Sequence, residues 1–300
     1  MTINHTKLVN GDKYNKDSNN IYGFENQYLS LMQEIMLHGE ERDNRTGVKA
    51  YSIFGAQFKI DISNYYPLLT TKKVYFPGIA HELLWFFKAE SSIHYLKENK
   101  VRIWNEWAYN NDIGPMYGIQ WRKWQSGDQY IDQLTNVIEQ IKNNPESRRL
   151  IISAWNAGYL PDVRLSPQEN VKNGKMALAP CHVICQFYVN KKRLSCSVYQ
   201  RSADIFLGLP FNIASYTLLT YIIAQQTGLK PGKLVWTGGD VHLYSNHIDQ
   251  ANIQLQRNIL TPPKLNIICE PKSNLADYCF EDFELLQYQH HEAIKAPIAV

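Results

Sequence analysis

No apolar stretch in this 300-residue chain approaches the ~20 residues that a membrane helix needs; the strongest runs only from about Tyr216 to Ala224. Charge of one sign is also missing. With a net charge of +3, nothing in the bulk calls for a nucleic-acid polymer or an anionic membrane as partner. The cysteines are five, Cys181, Cys185, Cys196, Cys269 and Cys279, an odd count with no C-x-x-C pair. A disulfide framework is therefore not expected. Met1 to Asn20 is polar and lacks the apolar centre of a signal peptide, so the expected setting is a reducing cytosol, where Asn-x-Thr patterns at Asn4 and Asn44 carry no meaning. The G-x-G-x-x-G, P-loop, H-E-x-x-H and G-x-S-x-G signatures are absent. His242 and His247 have no third ligand nearby in sequence, so no metal is expected.

What is present is ordinary globular composition, 44% hydrophobic and 20% charged, enough to bury a sizeable core. Residues 1–24 are rich in Asn, Lys, Asp and Gly and read as a flexible arm, leaving 25–300 as one domain. Tyr28, Leu31, Met32 and Ile35 repeat at helical spacing, with Gly39 beyond. Further helices are expected over 78–88, 130–142 and 212–227. Strands are expected over 51–62, 150–154 and 233–237. Two more, 183–189 and 194–202, make a hairpin through Asn190-Lys191-Lys192, and 158–175 reads as a long loop. Helices and strands interleave, yet the hairpin argues against a purely parallel sheet. The class is α+β.

Four places could carry chemistry. Cys181 stands just before an apolar strand; most such thiols are small buried hydrophobes, but a nucleophile needs positive charge nearby. Arg201, on one face of the next strand with Ser195, Ser197 and Tyr199, could supply it if the strand ends meet. Glu82 lies on or beside the apolar stripe of its helix, where a carboxylate should have a raised pKa and can shuttle protons. Arg148 and Arg149 form a doublet that is normally solvated; with Arg45, Arg201 and Ser202 it could hold a phosphate dianion. Asn212 could simply cap the helix that follows. Its amide could equally pair with the O4 and N3–H edge of uracil, whereas cytosine presents the reverse pattern.

Together these blocks resemble a family. The run Arg201-Ser202-Ala203-Asp204-Ile205-Phe206-Leu207-Gly208-Leu209-Pro210-Phe211-Asn212 is similar to the central signature of thymidylate synthases. So are Ala179-Pro180-Cys181-His182, His81-Glu82-Leu83-Leu84-Trp85-Phe86 and Gly238-Gly239-Asp240-Val241-His242-Leu243-Tyr244. The likeness extends through Tyr117 to Arg122, Ser147-Arg148-Arg149 and the terminal Lys295 to Val300, in order, from about residue 27.

The resemblance implies a single domain built on a large twisted mixed sheet flanked by helices. It implies that Cys181 adds to C6 of dUMP, and that C5 then takes a methylene group and a hydride from 5,10-methylenetetrahydrofolate, giving dTMP and dihydrofolate. Glu82 is implied to organise water, with Tyr117 and His182 bordering the site. Asn212 is implied to read the base, and His242 and Tyr244 the 3′-hydroxyl. The phosphate falls to Arg45, Arg201 and Ser202, joined by Arg148 and Arg149 of a second subunit in a homodimer. The folate falls to Ile103, Trp104, Trp107, Asp204, Leu207, Gly208 and Phe211, with Lys72 meeting its acidic tail and Ala299 and Val300 in the closing terminus. Asn105, Ala203 and Lys73 depart from the usual residues without touching Cys181, Glu82, Arg201 or Asn212. Two rivals remain in view: a pyrimidine hydroxymethylase on the same fold, against which Asn212 and Trp104 argue, and a non-catalytic RNA-binding regulator, against which the intact catalytic set argues. A weak RNA-binding side activity stays open as an expectation.

Overall fold

The computed structural model describes residues 23–298. The expected arm lies almost wholly outside them, but Gly23 and Phe24 already belong to α1 (Gly23–His38), and Phe24 packs edge-on against Phe58. The apolar spacing read from Tyr28 to Ile35 is the buried face of that helix. Glu25 is buried beside it and accepts from the backbone N–H and hydroxyl groups of both Thr70 and Thr71. Those bonds tie α1 to the segment that carries Lys72.

The elements that follow are β1 (Glu40–Arg42), β2 (Ala50–Asp61), α2 (Phe76–Lys88), α3 (His94–Glu98) and α4 (Tyr117–Arg122). Next come β3 (Trp124–Ser126), β4 (Gln129–Ile131), α5 (Gln133–Asn143), β5 (Ile151–Ser153) and α6 (Pro167–Lys172). The chain then runs through β6 (His182–Asn190), β7 (Arg193–Asp204), α7 (Gly208–Gln226), β8 (Lys230–Tyr244), α8 (Ile248–Leu255), β9 (Lys264–Ile267) and β10 (Phe283–Leu286). Six strands form one mixed sheet in the order β1-β2-β8-β7-β6-β5. All its pairs are antiparallel except β7 with β8, which α7 connects. This is the α+β architecture that the interleaved pattern implied.

The β6–β7 turn is two residues, Lys191 and Lys192, both at left-handed φ (47° and 58°). That geometry matches the strand twist. Helix α7 is buried on nearly every side. Its Thr217 and Thr220 hydroxyls donate back to the carbonyls of Ile213 and Tyr216, so polar side chains are satisfied inside the core. No helix among the described residues is long and apolar enough to cross a membrane.

Several boundaries differ from expectation for local reasons. The helix expected from Tyr130 starts at Gln133, because Asp132 caps it by accepting from Thr135 N at 2.9 Å. Tyr130 and Ile131 instead pair in a small hairpin. The loop over 158–175 contains α6, set by a reciprocal cap between Ser166 and Glu169. Helix α7 begins at Gly208, so Asn212 is inside it and is not its cap. Strand β8 runs 15 residues straight through Gly238-Gly239. These glycines allow close approach, since a Cβ at Gly238 would sit 2.4 Å from the Trp236 indole and one at Gly239 2.8 Å from Arg201 O.

Candidate active site

The backbone alone brings Cys181 and Arg201 together. Arg201 N donates to Cys181 O at 2.8 Å where β7 runs beside the start of β6. The Arg201 guanidinium then donates to Pro180 O and Ala179 O, each at 2.8 Å, and lies over the Trp155 ring. The segment bearing the thiol is thus clamped from the arginine side. Burial pushes the Cys181 thiol above its ordinary value, and the charges of Arg201 and Arg45 pull against that push. Arg45 itself is exposed, on the loop between β1 and β2.

Behind the sulfur stands a stack of rings. The Tyr117 hydroxyl accepts from Cys181 N at 2.9 Å, and the Tyr117 ring lies on His182 at 4.1 Å with 15° between planes. His182 Nδ1 meets the Tyr216 hydroxyl at 2.9 Å, and burial pulls the imidazole down to about 3, so it stays neutral. Glu82 is buried on α2, where burial lifts its carboxyl to about 7 against the lowering effect of the Trp104 indole bond.

Asn212 Oδ1 accepts from Gln200 Nε2 at 3.0 Å. Its Nδ2 has no protein partner among the described residues. His242 Nδ1 meets Asp240 Oδ1 at 3.1 Å, and Ser52 and Arg42 hold the same carboxylate. The Tyr244 ring stands edge-on to His242 at 5.1 Å. Asp204 Oδ1 accepts from Phe206 N and Leu207 N, which fixes the turn into α7. Ser202, beside Arg201, is half-buried.

An apolar wall adjoins these groups. Trp104 contacts Trp107 and Tyr117 at ring distances of 5.7 and 6.0 Å. Ile103, Leu207, Gly208 and Phe211 are partly open, as a wall for a flat ring requires. Among the described residues no group of three or more His, Cys, Asp or Glu side chains could hold a metal.

Lys72 is placed otherwise than a residue that meets a ligand's tail. It is buried, its Nζ donates to Phe206 O and lies 3.4 Å from the Phe206 ring centroid, and burial pulls its amine to about 7. Arg148 and Arg149 are exposed before β5, and neither side chain makes a hydrogen bond or ion pair among the described residues. Ala299 and Val300 lie outside those residues, though His247 Nε2 holds the segment before them through Pro297 O at 2.7 Å.

Sequence reasoning missed Gln200, Trp236, Tyr216 and Asp240. Gln200 had a signal: alternation along β7 puts it on the face of Leu194, Cys196 and Val198, and a polar residue on a buried face needs partners.

A thiol under the charges of two arginines, a carboxyl poised near neutrality and an aromatic wall are the groups that covalent catalysis on an anionic substrate would require. A model of the thymidylate synthase family matches residues 26–300. The thymidylate synthase of Francisella philomiragia subsp. philomiragia is 50% identical over 275 residues, which cover 91% of this chain and 99% of that relative. The chain belongs to the thymidylate synthase family and is a methyltransferase.

Proposed function

We propose that the protein converts dUMP to dTMP with 5,10-methylenetetrahydrofolate as co-substrate, releasing dihydrofolate. The observation that carries this is the join of Cys181 to Arg201 beside Tyr117, within a chain that matches the family almost throughout. The phosphate dianion would sit on Arg201, Ser202 and Arg45, adding negative charge where two guanidinium groups already act on the sulfur.

The Cys181 thiol, raised by burial, gives up its proton to water in the cleft as it attacks, with the charges of Arg201 and Arg45 favouring the thiolate. Its sulfur bonds to C6 of the uracil, and the electron pair of the C5–C6 bond moves to C5 and O4. Bound folate supplies the one-carbon unit and the hydride. Glu82, as carboxylate, takes the proton that leaves C5 through water held in the cleft, and the neutral Tyr117 hydroxyl borders that path. The S–C6 bond breaks when the product forms, and Cys181 departs as thiolate. Asn212 meets O4 and N3–H, while His242 and Tyr244 meet the 3′-hydroxyl. With Nδ1 facing Asp240, His242 presents Nε2 to that hydroxyl. Trp104, Trp107, Ile103, Leu207, Gly208, Phe211 and Asp204 fit a flat pteridine and its neighbours, and the terminus with Ala299 and Val300 covers it.

We also infer a homodimer in the cytoplasm. The sheet exposes Ile151, Ile184, Tyr188 and Tyr199, large residues that a second copy would cover. Arg148 and Arg149, whose side chains have no partner among the described residues, would complete the partner's phosphate site. Mixing the protein with dUMP and methylenetetrahydrofolate tests the central reading. An absorbance rise from dihydrofolate with dTMP as product is expected; a hydroxymethylated product, or none, would overturn it.

A further inference from the structure

Asn212 can discriminate between pyrimidines only if its amide is held one way round. The two ends of an amide are nearly equal in size, and a half-turn exchanges donor for acceptor. A freely turning asparagine would accept uracil in one state and cytosine in the other.

Gln200 prevents the turn locally. It is 2% exposed, and its Nε2 donates both to Asn212 Oδ1 at 3.0 Å and to Ser202 O at 3.1 Å. Gln200 is itself an amide with the same ambiguity. Its other end, Oε1, accepts from Trp236 Nε1 at 2.9 Å. An indole nitrogen donates and cannot accept, so the orientation is settled there. The indole cannot move aside. Trp236 is fully buried, packs on Phe58 with ring centroids 4.9 Å apart, and runs beneath Gly238, where any Cβ would come within 2.4 Å of it.

We propose that Trp236 is a specificity-determining positioning residue: its N–H fixes Gln200, Gln200 fixes Asn212 with Nδ2 turned to the ligand, and the site thereby selects uracil over cytosine. This rests on the reading of Asn212 as the base-contacting group. Cytosine would need Asn212 inverted. Inversion sets Nδ2 of Asn212 against Nε2 of Gln200, donor against donor. Gln200 could answer only by inverting too, which sets its Nε2 against the indole N–H and its Oε1 against Ser202 O. Two buried bonds are lost and two donors are left facing each other, a cost that falls on the wrong base alone.

The test is the ratio of dissociation constants for dCMP and dUMP, measured by calorimetry without folate on the full chain. Trp236→Phe keeps a ring and removes the donor. The ratio is expected to fall about tenfold or more, the scale of one buried hydrogen bond. A purely structural role would weaken both nucleotides together and leave the ratio alone. Gln200→Glu gives a second arm should the first variant fail to fold. At a pH where it is ionised, its carboxylate accepts from Trp236 at one oxygen and from Asn212 Nδ2 at the other, with Ser202 O left without its donor; this inverts Asn212 and should shift preference towards dCMP. Asn212→Asp is the control for the base contact. Wild-type protein without preference for dUMP would overturn the reading of the site and this inference with it. A wild-type preference that Asn212→Asp alters, but that stays within twofold in the folded Trp236→Phe and Gln200→Glu variants, would overturn this inference alone.

Discussion

Trp104 donates its indole N–H to Glu82 Oε1 at 2.8 Å, so a residue of the apolar wall also sets the proton affinity of the buried carboxyl. Burial raises Glu82 to about 7, and the indole bond, stronger to the carboxylate than to the acid, holds it from rising further. Trp104→Phe should therefore move the acid limb of the kcat profile to higher pH.

The same group sets a pH signature in stability. The folded carboxyl, near 7, binds its proton more tightly than the unfolded one, near 4.5. Stability from this group is complete below about 4.5 and is lost as pH rises through about 7. Glu82→Gln should raise Tm relative to wild type at pH 8, and that advantage should vanish by pH 4.5. A Tm difference that ignores pH would show that Glu82 is ordinary in the folded protein.

That Glu82 would be buried was legible because an acid on an apolar helical stripe has nowhere else to go. Cys181 with Arg201 was legible as a condition, since alternation and a hairpin bring strand ends together whatever the loops do. Lys72 was not legible. A lysine between Thr71 and Lys73 reads as surface, and only the tertiary position of Phe206 turns it inward. Asn212 looked like a cap because it stands directly before the apolar run that opens at Ile213. The chain instead begins its helix at Gly208, after Asp204 satisfies the turn's free N–H groups. The length of β8 was hidden by Gly238-Gly239, whose reason is an indole and a carbonyl far away in sequence.

For the thiol, two substitutions separate presence from tuning. Cys181→Ser should abolish turnover by several orders of magnitude while dUMP still binds, since a covalent catalyst cannot be replaced by geometry. Arg45→Gln leaves the Arg201 clamp on Ala179 and Pro180 intact and removes one of the two charges opposing burial. The pH midpoint for alkylation of Cys181 by iodoacetamide should therefore rise. An unchanged midpoint would mean that Arg45 does not act on the sulfur.

Lys72 offers the opposite sign to Glu82. Its folded amine, pulled to about 7 by burial, binds a proton less tightly than the unfolded one at 10.5. The unfolded chain holds more protons between these values, so stability climbs with pH across that window. Lys72→Met removes the amine and keeps the length. Its stability gain over wild type in urea melts should be several kcal/mol at pH 7 and should shrink towards pH 9.5, at ~1.4 kcal/mol per unit. A constant gain would mean the amine is charged in place, with Asp204 as its partner.

Arg148 and Arg149 give the sharpest test of assembly. Both are exposed, and neither side chain has a partner among the described residues, although a guanidinium aimed at phosphate is normally held in a fork. If they serve a second copy, each complete site needs Cys181 from one chain and Arg148 from the other. Cys181→Ala and Arg148→Glu should each be inactive alone. Unfolded together and refolded, a statistical mixture is half heterodimer, and each heterodimer has one site with both lesions and one with neither. Activity should then return towards about a quarter of wild type, as the two-fold symmetry of a dimer dictates. A pull-down with differently tagged chains confirms that subunits have exchanged. Heterodimers without activity would mean that Arg148 serves the site of its own chain. Activity above a quarter would mean that one of the two lesions is not absolute, which the separate variants reveal directly.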